Sequence, residues 1–122
     1  MSESHVRILV ADDERPIRAL VGEYLVGQGY AVDMVPDGLE AVRKATEEEY
    51  DLIIMDIAMP RFNGVEAIRT IRRQKPEQKI LVVTAFLEGE VAEEIASAGA
   101  SRALAKPVGL GELSAAITEL IG

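Results

Sequence analysis

Four separate apolar runs in this chain each end on residues able to do chemistry: Asp12 and Asp13 follow VRILVA, Asp56 follows LIIM, Thr84 closes ILVV, and Lys106 with Pro107 follows ALA. If those runs are parallel strands, all of these side chains meet at one edge of one sheet. Carboxylates gathered there repel one another by about 4 kcal/mol per close pair at an effective dielectric of about 20, so a bound cation is the natural resolution. Oxygen donors without nitrogen or sulfur partners suit a hard ion, Mg2+ or alternatively Mn2+. The chain has no cysteine and a single histidine, His5, which excludes thiolate sites and imidazole clusters and, in effect, zinc.

The elements that must position these groups are legible as an alternation. Residues 6–11, 31–35, 52–55, 80–83 and 102–105 read as strands. The first helix carries Ile17, Leu20, Val21, Tyr24 and Leu25 at the spacing of one buried stripe, with Pro16 in its first turn and Gly29 ending it. Further helices are expected over 38–49, 65–73, 89–98 and 110–120. The third is stopped by Pro76, and the loop before it is punctuated by Pro60 and Gly64. The fourth is Ala-rich, with only Val91 and Ile95 as larger apolar anchors, and is expected to be the loosest. Five strands alternating with five helices imply an α/β fold: a mostly parallel, doubly wound sheet with right-handed crossovers, whose ligands sit beyond the carboxyl ends of the strands.

With 122 residues, 48% hydrophobic and 28% charged, the chain is the size and balance of one globular domain, and residues 1–122 are read as a single domain with a flexible tail at 1–5. The formal net charge of -8 argues against a nucleic-acid partner or an anionic membrane surface, each of which wants a basic patch. No apolar run approaches the roughly 20 residues of a membrane span, and the opening MSESHVR is not a signal peptide, so a cytoplasmic location is expected.

Singly, each residue has a plainer reading. Asp12 and Asp13 suit a helix start, Asp56 a turn, Thr84 a hydroxyl bonded to the backbone, and Lys106 a solvated charge. Those readings do not require the groups to fall at the same ends of the strands. Taken together, Asp12-Asp13, Asp56 followed by Ile-Ala-Met-Pro, Asn63-Gly64, Thr84-Ala85 and Lys106-Pro107 resemble the receiver domain of bacterial two-component response regulators, over nearly the whole chain. The likeness is to the single-domain type typified by the chemotaxis response regulator. It implies a flavodoxin-like receiver fold with strand order 2-1-3-4-5.

The resemblance also implies a chemistry. Asp56 would be the phosphoacceptor, taking a phosphoryl group from a phosphohistidine on a histidine kinase or histidine phosphotransfer protein. Asp13, Asp56 and the backbone carbonyl of Ala58 would hold Mg2+, with Asp12 acting through water. Lys106, the Thr84 hydroxyl and the Ala85 N–H would contact the phosphoryl oxygens. The Lys106-Pro107 peptide bond would be cis. A downstream protein target and a monomeric state are expected, the protein being a signalling domain rather than an enzyme.

Two positions depart from the family pattern. Ala103 stands where an inward-swinging aromatic is usual, so a response would travel through Thr84 and a re-registering fourth helix. Ala58 and Phe86 stand where polar side chains orient a hydrolytic water, which predicts slow self-dephosphorylation. Arg15, Pro16, Ala19 and the Pro60 loop are expected at the donor-docking surface, with Arg15 and Arg18 open to a second reading as a solvated helix face. A receiver cut from a longer regulator or hybrid kinase is the alternative; the natural-looking Met1 favours a stand-alone chain. A Mg2+-dependent phosphatase with an Asp nucleophile is less favoured, because it wants a second Asp where Ala58 stands. A nucleotide- or flavin-binding module is disfavoured because Asp12-Asp13-Glu14 would repel phosphate.

Overall fold

Side chains alternate along each strand, so an apolar strand covered by helices on both faces feeds two cores at once. The computed structural model describes residues 6–57, 63–85 and 87–121. Its elements run β1 (Arg7–Ala11), α1 (Arg15–Gly27), β2 (Ala31–Val35), α2 (Gly38–Glu47), β3 (Leu52–Met55), α3 (Gly64–Gln74), β4 (Ile80–Thr84), α4 (Gly89–Ala98), β5 (Arg102–Ala105) and α5 (Leu110–Ile121). All strand pairs are parallel, in the order β2-β1-β3-β4-β5. The expected 2-1-3-4-5 topology is therefore what forms.

On one face Leu9, Ala11, Ile53, Met55, Ile80 and Val82 pack against α2, α3 and α4. On the other, Ile8, Val10, Leu52, Ile54 and Leu81 meet Leu25 of α1 and Leu113, Ala116 and Ile117 of α5. Residues next to one another in sequence thus serve opposite cores, which fixes the register: a one-residue slip would exchange them.

Most helix limits follow from local chemistry. Asp37 caps α2 by accepting from the Glu40 N–H at 2.9 Å, and Asn63 caps α3 by accepting from the Val65 N–H at 2.7 Å. Gly29 sits at φ 97°, the left-handed conformation that ends a helix such as α1. Gly64 opens α3 for a different reason: a Cβ there would lie 2.3 Å from the Ile57 Cα. Only glycine lets α3 start against the backbone that follows β3.

Two expectations need correction. The helix expected over 38–49 stops at Glu47, because Glu48 is extended and its carboxylate is held by Arg7 and Lys44. Leu20, placed on the buried stripe of α1, is 54% exposed. The helix lies over β1 and β2, and Leu20 lines a cleft that Leu110 and Leu113 of α5 also line. Among the described residues no helix is long and apolar enough to cross a membrane. Residues 1–5, expected as a tail, lie outside the described residues.

Candidate functional site

The sheet's hydrogen bonding runs one residue past the strand ends and holds the chemistry in place. The Asp12 N–H donates to Val35 O at 3.2 Å, the Asp56 N–H to Ala11 O at 3.0 Å, and the Lys106 N–H to Thr84 O at 2.9 Å. These residues inherit the precision of rigid strands rather than the freedom of loops. One carboxylate oxygen each from Asp12, Asp13 and Asp56 lies within 4.8 Å of the others. Asp12 and Asp56 are each 6% exposed, whereas Asp13 faces solvent.

Lys106 enters this acidic pocket from the end of β5. Its Nζ donates to Asp56 Oδ2 at 2.9 Å, to Asp12 Oδ2 at 3.2 Å and to Glu14 Oε1 at 3.4 Å. Burial acts to lower the pKa of its ammonium, yet the bonds and charges of Asp56 and Asp12 outweigh burial and hold it above the ordinary lysine value. Asp12 is pushed up by burial, against the opposing pull of the Glu14 N–H and of Lys106. The two ends of the Lys106–Asp12 bond do not mirror each other. The ammonium's direction decides the pair, since it has three carboxylate partners while Asp12 has one cation. Lys106 is charged at neutral pH.

Thr84 is fully buried at the end of β4, paired in register with Ala105, and Ala85 lines the same cleft as Asp56 and Lys106. The Lys106-Pro107 bond is cis. Ala103 is half-buried in β5 and packs against the core beneath α2, α3 and α4. The expectations for Ala58, Pro60 and Phe86 lie outside the described residues.

Arg15, Pro16 and Ala19 are exposed on α1. Arg18 is not simply a solvated face residue: its guanidinium donates to the Asp12 carbonyl at 2.7 Å and braces the β1–α1 loop. That brace, and the reach of Glu14 to Lys106, were not anticipated from sequence.

The donor set fits a hard divalent cation. It is all carboxylate, it converges, and counting Glu14 it sets four acidic side chains against the single ammonium of Lys106.

Residues 8–118 match the response regulator receiver domain family. The chain belongs to that family. Receiver domains act in two-component signalling, and phosphorylation and Mg2+ binding are general among them. This receiver is 38% identical over 118 residues to the response regulator MprA of Mycobacterium ulcerans, covering 95% of this chain and 50% of that relative. It thus spans about half the length of the curated relatives it matches. A CheY-like receiver from Methanospirillum hungatei superposes with a TM-score of 0.92 at 29% identity, covering 95% of this chain and 93% of that one. The receiver domain of the sensor histidine kinase PA1611 of Pseudomonas aeruginosa, solved with a magnesium ion in its active site cleft, gives 0.90 at 33% identity, with 98% and 99% covered.

Proposed function

We propose that this receiver accepts a phosphoryl group on Asp56 from a phosphohistidine of a histidine kinase or phosphotransfer protein, and signals by phosphorylation-dependent protein binding or onward transfer. The observation that carries the reading is Asp56 itself, buried at a strand end beside two further aspartates and bonded to Lys106 at 2.9 Å. An Asp56 oxygen forms the new bond to phosphorus as the nitrogen–phosphorus bond of the donor breaks, its electron pair returning to the imidazole. The product is an acyl phosphate and a histidine that takes a proton from solvent.

Asp13 and Asp56 are the side chains that would hold Mg2+ directly, Asp12 would act through water, and the Ala58 carbonyl is the proposed third ligand. The ion supplies charge neutralisation between an acidic pocket and an anionic phosphoryl group. Lys106 exchanges its Asp56 bond for a phosphoryl oxygen, the Thr84 hydroxyl donates to a second, and the Ala85 N–H to a third. Catalysis is then positioning and preorganised charge, with no proton to be moved by a general base. Residues 1–122 are read as one receiver domain, a reading that holds whether or not other domains accompany it. The phosphatase reading shares the Asp nucleophile and the acidic cluster but wants a second Asp where the sequence has Ala58.

The test is incubation with acetyl phosphate and Mg2+ followed by intact mass measurement. The wild type gains one phosphoryl group, Asp56→Asn gains none, and omission of Mg2+ abolishes the gain. An unchanged gain in Asp56→Asn overturns the reading.

A further inference from the structure

A lysine ammonium has three protons to donate. Lys106 spends them on three carboxylates, and these are not equivalent. Asp56 and Asp12 belong to the cluster of converging aspartates, with side chains 7% and 8% exposed; Glu14 does not, and its side chain is 59% exposed at the mouth of the site. Glu14 also occupies the N-cap position of α1 and makes no side-chain cap bond there. Its backbone N–H donates instead to Asp12 Oδ1 at 2.9 Å, and its side chain reaches across to Lys106. That contact spans 92 residues of chain.

We infer that Glu14 is a positioning residue for Lys106: it is the outer acceptor that keeps the ammonium at the mouth of the site when a divalent cation takes the oxygens of Asp12 and Asp56. This rests on the metal-binding reading of the aspartate cluster. Ion and ammonium are like charges that want the same two aspartates, so they compete. Without an outer acceptor, the ammonium settles more fully on Asp12 and Asp56 and competes harder. With one, it can withdraw a short distance, stay paired, and remain within reach of an incoming anion. Arg18 does not substitute for Lys106 in this exchange, because its guanidinium is committed to the Asp12 carbonyl.

The contact is exposed, so the expected effect is modest. A calorimetric Mg2+ titration of Glu14→Gln shows affinity reduced by about two- to five-fold. A bare loss of negative charge near the ion would lower affinity too, and the Lys106→Met background separates the two causes. There the loss on adding Glu14→Gln shrinks at least two-fold, since no ammonium is left to hold. Lys106→Ala serves if the Met variant does not give a cooperative urea transition. Equal losses in both backgrounds, no loss in either, or no Mg2+ binding by the wild type overturns the assignment. Equal losses in a protein that still gains its phosphoryl mass remove the role of Glu14 alone. Absence of both Mg2+ binding and mass gain removes the underlying reading.

Discussion

At the scale of single residues, position relative to a strand end decides what a side chain can do. Asp12, Asp56 and Lys106 are each fixed by a backbone bond to the neighbouring strand, so their functional atoms converge without relying on loop conformation. Gly64 is the least replaceable of the supporting residues, because its missing Cβ admits the Ile57 backbone. Gly64→Ala is expected to cost about 1–3 kcal/mol or more, through displacement of α3 from β3, and urea unfolding measures it. An unaltered midpoint would show that the contact relaxes freely. Glu48 gives a pH prediction far from the site. The Arg7 guanidinium, then the Lys44 ammonium, holds its carboxyl pKa down from 4.5 to about 2. A carboxyl lowered in the folded state contributes stability that is fully present above 4.5 and is lost as pH falls toward 2. The stability gap between wild type and Glu48→Gln should therefore narrow across that window in urea titrations; a gap that stays constant through it would contradict the assignment.

At the scale of elements, the sheet and the helices were legible to different degrees. Strands are legible because each run is short and bounded by turn residues, and four of the five contain Val or Ile, β5 with its Arg-Ala-Leu-Ala being the exception; α4 spans Gly89–Ala98 as expected. The strand order was carried by the family likeness, since periodicity says nothing about which parallel strands are neighbours. Leu20 shows where a helical stripe misleads: spacing identifies a face, but the angle at which α1 lies across β1 and β2 decides which part of that face is covered. Glu14 and Arg18 were illegible as site residues because their roles depend on rotamers chosen by contacts with Lys106 and with the β1–α1 loop. For α4 the weak apolar anchoring has a dynamic consequence. Its N-cap residue Glu88 makes no side-chain cap bond, while its other end is tied to α3 by Arg72 donating to Gly99 O at 2.5 Å. Beryllofluoride with Mg2+ should change amide exchange in α4 more than in α2 or α3, the change being larger toward Gly89 than toward Ala98. Exchange in α4 that is indifferent to beryllofluoride would contradict transmission through this helix, which matters because Ala103 offers no aromatic to report the shift.

At the scale of the whole molecule, the chain concentrates like charge where its chemistry is to happen and accepts lower stability for it. A net charge of -8 includes three aspartates held within 4.8 Å at one end of the sheet. In metal-free buffer, Asp13→Asn should be more stable than wild type by about 1 kcal/mol or less, a small effect because Asp13 is exposed and screened. Adding Mg2+ should reverse the order, raising the wild-type thermal midpoint and leaving that of the variant nearly unmoved. The same midpoint shift in both proteins would place the ion elsewhere.

Asp56 is the proposed acceptor. Borohydride reduction of protein treated with acetyl phosphate and Mg2+, followed by peptide mapping, tests it most directly, because an acyl phosphate is reduced to the alcohol where it stood. Homoserine is expected in place of Asp56 and nowhere else; reduction at Asp12 or Asp13, or an unreduced phosphoryl group on a hydroxyl side chain, would rule out Asp56 as the acceptor.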